Sequence, residues 1–470
     1  MLNSIDNVVN TISGVLYQPY VVPLILVLAG LYFTFRLKFV QFRLFAESIR
    51  VVREKPVNLG ATSSFGALMV STASRVGTGN IMGVSTALCL GGPGAIFWMW
   101  ITAILGGASA FVESTLAQIY KKRDSDGGSY GGPSYYMEQA LGQRWLGVIF
   151  AIVLILTYVV GYNMLAAYNT QSTFAGFGFY NKNTSMIVGG VLAVLFGICV
   201  LGGGKRLTKV TEVLVPVMGV LYVLVSLFVV ITHISSFGAV FGNIFRSAFD
   251  FKAVFGGFSG SCIMWGIKRG LYSNEAGMGS APNAAASADV AHPAKQGLVQ
   301  MLSVFIDTLL ICSATAFMCL FSGVEPSSEA AGAAYVQAAA RTALGGFGPV
   351  FLAVAVSLFA FTTLLGNYYY TEGCLRFLMK KKPGSTFMTV FRLCATALVF
   401  LGAVISAGLA WDTADLLQAL MVIINVPVIL LLAKPALDAL KDYEAQRKAG
   451  KEPVYHAAAN GIQGTDHWQK

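Results

Sequence analysis

Apolar stretches of about 20 residues recur along the whole chain, each long enough to cross a hydrocarbon core of about 30 Å. Hydropathy over a span-length window predicts eleven membrane helices. They are a lead span over 15–35, then 62–90, 95–120, 145–174, 185–201, 210–232, 252–275, 297–321, 347–375, 387–406 and 413–433. Residues 38–55 alternate basic and apolar positions at helical spacing, which predicts a helix lying on the membrane surface. After Lys434 the chain turns polar (DYEAQRKAGKEP) and reads as a frayed tail.

Two spans break the pattern. The first, 62–90, carries Ser74-Arg75-Val76-Gly77-Thr78-Gly79-Asn80 at its middle; the second, 252–275, carries Gly256-Gly257-Phe258-Ser259-Gly260-Ser261. Glycine in a helix interior costs about 1 kcal/mol relative to alanine, so such clusters favour unwinding. Unwound backbone at membrane depth persists only inside protein or beside a wet cavity. With the lead span set aside, ten spans remain, and the interrupted ones open each group of five. Because five is odd, the two groups insert with opposite orientation, and paired interruptions of this kind point to an inverted-repeat transporter site.

Helix polarity supplies the chemistry. The half-helix that begins near Gly79 presents unpaired amides and partial positive charge, which suits a carboxylate. The half that ends near Val76 presents unpaired carbonyls, which suit a hard cation. The start of that half-helix near Gly79 is therefore a candidate substrate position, with Ser259, Gly260 and Ser261 at the second interruption. Arg75 is expected to pair with an acid from another span, as part of a gate or to fix the break. Glu113, Asp307 and Glu372 are the other charged candidates in or near spans.

Composition narrows the class. Hydrophobic residues make up 56% of the 470 residues and charged ones only 11%, against roughly 25% charged in soluble domains. The net charge of +10 could mark a nucleic-acid surface, but 26 of the 32 Lys and Arg residues fall in alternate loops and the tail. That bias is a topology signal: it predicts an outward N-terminus, a cytoplasmic C-terminus and no nucleic-acid partner. The seven cysteines lie singly in apolar stretches, which suggests neither a disulfide framework nor a thiolate metal site. Four histidines near span ends or in the tail give no HExxH, and no GxSxG turn is present, so an enzyme is not expected and no cofactor is implied. The layout is 1–60 for the lead span and surface helix, 61–236 and 237–433 for two five-helix repeats, and 434–470 for the tail.

The segments SRVGTGNIMGV (74–84), GGSYGGPSYYM (127–137), RGLYSNEAGMGSAP (269–282), residues 292–310 and FTTLLGNYYYTE (361–372) resemble the alanine or glycine:cation symporter family. The resemblance implies an all-α LeuT-type 5+5 inverted repeat with two broken helices plus one extra N-terminal span. It also implies sodium-coupled uptake of a small neutral amino acid across the plasma membrane. Carried onto this sequence, the Gly77-Thr78-Gly79 amides would bind the substrate carboxylate, with Asn80 beside substrate and cation. Sodium would lie between carbonyls near Ala73 and Val76 and the hydroxyls of Thr362 and Thr363. Ala166 stands where relatives commonly have glutamine, and Asn367 where they commonly have tryptophan. Both changes remove bulk, so if the two residues face the pocket, a glutamine or asparagine symporter is an alternative. A membrane sensor that binds without transporting is another.

Overall fold

A computed structural model describes residues 2–18, 21–58, 60–124, 127–202, 204–250 and 261–468. Among them eight helices are long and apolar enough to cross a membrane. The other three predicted spans are the short or interrupted ones. The lead span is α2 (Val22–Arg36), preceded by a separate helix α1 (Leu2–Leu16). The chain continues through α3 (Phe45–Val52), α4 (Ser64–Arg75), α5 (Val84–Gly91) and α6 (Gly94–Ile119). Next come α7 (Arg144–Ser172), α8 (Lys182–Leu201), α9 (Gly204–Thr232), α10 (Phe237–Ala248) and α11 (Cys262–Asn274). The last six are α12 (Pro293–Phe321), α13 (Ala333–Leu344), α14 (Phe347–Met379), α15 (Ser385–Gly402), α16 (Ala407–Leu431) and α17 (Ala433–Lys448).

Helix α6 forms the centre, packed by α2, α10, α11 and α12. Its Gly-Gly-Ala-Ser-Ala run permits this: a Cβ on Gly106 would sit 2.7 Å from Ala276 Cβ, and one on Gly107 3.1 Å from the Phe305 ring. Without a water-driven hydrophobic force between them, membrane helices associate through such close backbone approach. At the periphery, α8 and α9 expose Ile187, Val191 and Val194, and Val213, Val217, Val220 and Leu224. Spacings of three and four make these lipid-facing stripes.

One face collects most of the basic loops, and there the tail is not frayed. Helix α17 packs against α6, α12 and α16. Beyond it Tyr455 and Trp468 are buried, and Trp468 Nε1 donates to Gln118 O (2.8 Å). Tyr455 N–H donates to Ala291 O (2.9 Å), while Lys295 bridges Glu54 (2.8 Å) and Glu452 (2.6 Å). The predicted surface helix is Val40–Arg43 with α3, tied to α17 through Arg43–Glu444 (2.6 Å) and Arg447–Glu47 (3.3 Å). A polar string reads as unstructured until it has a partner, and this one's partners are remote in sequence. Burial holds both His292 and His467 down at about 4, and nearby Lys121 and Arg123 add to the effect at His467.

Candidate functional site

The first interruption lies where the sequence places it. Helix α4 starts at Ser63, whose hydroxyl accepts the Gly66 N–H (3.0 Å), and runs to Arg75. Val76 then leaves helical geometry (φ −75°, ψ 87°), and the chain resumes as a π-helical turn over Gly79–Gly83 that leads into α5. The Gly77 N–H, which would close the helix onto Ala73 O, donates instead to Asn80 Oδ1 (2.7 Å). That frees the Ala73 carbonyl from the helix and commits the Gly77 amide to a side chain. Neither glycine has positive φ; both are required by close approach. A Cβ on Gly77 would run into Thr363 Oγ1, and one on Gly79 would lie 2.5 Å from the Tyr272 ring.

The second interruption expected at Gly256–Ser261 falls almost wholly on Gly256–Gly260, which lie outside the described residues. Ser261 caps α11 by accepting the Met264 N–H (3.2 Å). Helix α11 ends at Asn274, and the described residues show a second unwound stretch at Glu275–Ala281, within the SNEAGMGSAP signature, before a short helix Pro282–Ala285. Glu275, Gly277 and Gly279 all have positive φ (55°, 85° and 83°). Lys268 and Arg269 therefore lie in a buried half-helix and not in a basic loop. This stretch is buried in protein throughout, and side chains satisfy its backbone, as membrane depth demands. Asn274 Oδ1 accepts from Ala276 N (3.0 Å), Glu113 Oε2 from Gly279 N (3.1 Å), and Asn425 Nδ2 donates to Gly277 O (2.9 Å). Asn283 Nδ2 donates to Ser280 O (2.8 Å).

The two interruptions meet. Ser74 Oγ lies 3.1 Å from Glu275 Oε1 and 2.7 Å from Asn367 Oδ1, sharing one proton between them, and Asn367 Nδ2 donates to Asn163 Oδ1 (3.0 Å). Asn80 Nδ2 donates to Asp307 Oδ1 (2.7 Å), whose other oxygen accepts from Ser273 (2.7 Å) and Thr308 (2.8 Å). Thr78 Oγ1 accepts from Asn169 Nδ2 (3.0 Å). Asp307 sits in a π-helical stretch, Phe305–Cys312, and Tyr162 in another, Leu156–Tyr162. Such bulges release backbone groups from a regular ladder and gather at functional sites.

Several expectations change here. Among the described residues Arg75 has no carboxylate within ion-pair distance; its Nη1 reaches Gln300 O and Oε1 (3.3 and 3.4 Å). The two threonines differ. The Thr362 hydroxyl bonds back to Phe359 O (3.0 Å), as threonines in helices do, whereas Thr363 Oγ1 is buried against Gly77 with no hydrogen-bond partner among the described residues. Ala166 packs in a separate apolar cluster with Leu364, Leu365 and Val399. Asn367 is committed to Ser74 and Asn163.

One side of this centre is sealed. Tyr272 covers Gly79 and packs edge-on against Tyr162 (4.9 Å) and Trp411 (5.3 Å). Beyond them Arg269 grips Asp415 with both arms (3.2 and 3.0 Å), Lys268 joins at 2.8 Å, and Trp411 stacks on the guanidinium (4.2 Å). Toward the basic face lies a polar cavity of about 920 Å³, bounded by the 127–131 loop, Asn283, Ser287 and α14.

Sequence reasoning missed Glu275, Tyr272, Gly277 and Gly279. Their signal was a Gly-x-Gly pair after an acid in the stretch taken for a polar loop.

A family model described as the sodium:alanine symporter family matches residues 2–457. The amino-acid carrier protein AlsT of Bacillus subtilis is 46% identical over 95% of this chain and 94% of its own. The probable sodium/glutamine symporter GlnT of the same organism is 44% identical over 97% and 94%. The sodium/alanine symporter AgcS of Methanococcus maripaludis is 37% identical over 94% and 96%. Among solved structures, MhsT in complex with L-phenylalanine superposes with a TM-score of 0.54 at 16% identity, covering 81% of this chain and 90% of that one.

Proposed function

The chain belongs to the sodium:alanine symporter family and is a sodium-coupled amino-acid symporter, and from that premise we propose that it carries a small neutral amino acid of the alanine class into the cell. The observation that carries this reading is the meeting of two unwound segments around Ser74 and Glu275, sealed on one side and flanked by a cavity on the other. In the proposed arrangement the basic face is cytoplasmic, and the structure stands in a state closed toward the outside.

The substrate carboxylate would be held at the Thr78–Gly79 end of the first interruption. The released Ala73 carbonyl, the Val76 carbonyl and the partnerless Thr363 hydroxyl supply oxygen donors for sodium, with Asn80 between ion and substrate. Thr362 would contribute only by turning away from its own helix. The bonds already made by Asn367 and the packing of Ala166 remove the reason to prefer glutamine.

One sodium entering down an inside-negative potential of about 100 mV releases about 2.3 kcal/mol, and a tenfold gradient adds about 1.4 kcal/mol. Together they support roughly 500-fold accumulation of a neutral zwitterion. Uptake of labelled alanine by proteoliposomes should stop when choline replaces sodium. Uptake that persists in choline under a proton gradient would transfer the coupling to protons, and binding without accumulation would make the protein a sensor.

A further inference from the structure

The cavity beside the site contains charge that the transport reading does not use. Among its lining groups are Glu372 and Arg376 of α14 and Arg392 of α15, with Asp124 from the loop after α6. These make two ion pairs of different quality. Arg376 holds Asp124 at 2.5 Å, a closed contact. Arg392 Nη2 and Glu372 Oε1 stand 3.6 Å apart, well beyond the 2.7–2.9 Å of a charge-assisted bond, and each side chain keeps nearly a fifth of its surface exposed (18% and 19%). Arg392 is held in place from elsewhere, through Nε to Tyr368 Oη (2.9 Å). The acid and base are thus fixed side by side, loosely joined, and facing a polar space.

We propose that Glu372 and Arg392 form a second, weak binding site for amino-acid zwitterions, occupied in the cavity after release from the central site. An α-amino acid carries its ammonium and carboxylate two bonds apart. Laid antiparallel to the pair, it sets its carboxylate on Arg392 and its ammonium on Glu372, so that four alternating charges close a ring. The cavity, at about 920 Å³, lies near the top of the range for ligand sites and is far larger than alanine. The site therefore reads main-chain charges and leaves the side chain ungripped. Partly solvated charges bind weakly, and Arg392 supplies the positive charge that sodium supplies at the centre, so this site needs no sodium. A zwitterion parked here is removed from the broken helices without having entered bulk water.

This inference rests on the amino-acid symport reading, and one titration separates the two. Purified full-length protein in nanodiscs is titrated with labelled L-alanine in sodium and in choline. The expected result is a sodium-dependent component plus a millimolar component that remains in choline. Glu372→Gln with Arg392→Gln should weaken the choline component by about tenfold, as loss of two solvated charge contacts implies. The reversed pair, Glu372→Arg with Arg392→Glu, should restore it. On the parent protein, propionate and ethylamine, each holding one of the two charges, should compete at least about tenfold more weakly than D- or L-alanine. Absence of a choline component, its survival in the neutralised variant, or equal competition by the single-charge probes overturns the second site while leaving symport intact. Absence of both components takes down both readings.

Discussion

The two interruptions solve one problem in opposite ways. In the first, the chain leaves the helix at Val76 with a single side-chain brace, Asn80 on the Gly77 amide, and its glycines serve to let Thr363 and Tyr272 approach. In the second, Glu113, Asn274, Asn283 and Asn425 together claim four or more backbone groups, and three residues hold positive φ. The first leaves the Ala73 carbonyl outside the helix ladder and the neighbouring Thr363 hydroxyl uncommitted. The second has spent its donors and acceptors on its own support. An unwound helix in a membrane is thus not by itself a binding site; what matters is which of its polar groups remain uncommitted.

Substitution at the first interruption should produce the largest functional loss with the smallest structural one. Gly77→Val or Gly79→Ala places a Cβ against Thr363 or the Tyr272 ring; overpacking of about 1–3 kcal/mol at the moving centre should cut uptake by about 10- to 100-fold or more. Membrane yield should stay near parental, and near-normal uptake by both variants would show the approach to be mere packing. At the second interruption the effects should invert. Glu113→Ala strands the Gly279 N–H and the Asn425 amide, each at about 1–3 kcal/mol, and should lower the thermal midpoint markedly. Glu113→Gln keeps an acceptor and should recover most of it. A Glu113→Ala protein as stable as the parent but inactive would assign this brace to transport instead.

A finer division runs through the adjacent threonines. Thr363→Val removes an uncommitted oxygen and should raise the half-saturating sodium concentration by about tenfold, the equivalent of about 1.4 kcal/mol. Thr362→Val removes an oxygen already bonded to its own helix and should shift it less. Equal shifts in sodium-dependence curves would mean that Thr362 turns inward when the ion binds.

The smallest effect belongs to the tail. His292 is buried and His467 half-buried, each held at about 4 against an ordinary value near 6.5. A lowered histidine favours the folded form fully above the unfolded value, and that contribution is lost as pH falls from about 6.5 toward 4. Protease access to the 449–468 stretch should increase over that window and stay flat between pH 7 and 8.

The same contrast explains what the sequence made legible. The first interruption was visible because Arg75 and two glycines stand inside an apolar run, and hydropathy registers departures from lipid-like surroundings. The unwinding at Glu275–Ala281 was hidden because RGLYSNEAGMGSAP is buried in protein and not in lipid, so its polarity read as a loop. The pairing of Arg269 with Asp415, 146 residues apart, and the docking of Trp468 on Gln118, 350 apart, depend on contacts that no local pattern encodes. Residue type alone made Thr362 and Thr363 equivalent; only the helix rotation distinguishes them.

Helix α1 packs on α16, and Tyr17 meets Gln418, 401 positions along the chain, beside Lys268 (4.8 Å). Helix α1 therefore has its resting place on a transmembrane helix made long after it. Closing so long a loop is entropically unfavourable, and segments that await distant partners expose surface meanwhile. Throughout synthesis the aromatic lid over Arg269 lacks its outer buttress, so premature termination before residue 407 should yield a nascent chain that is inserted but unlatched, and a ready substrate for membrane quality-control proteases.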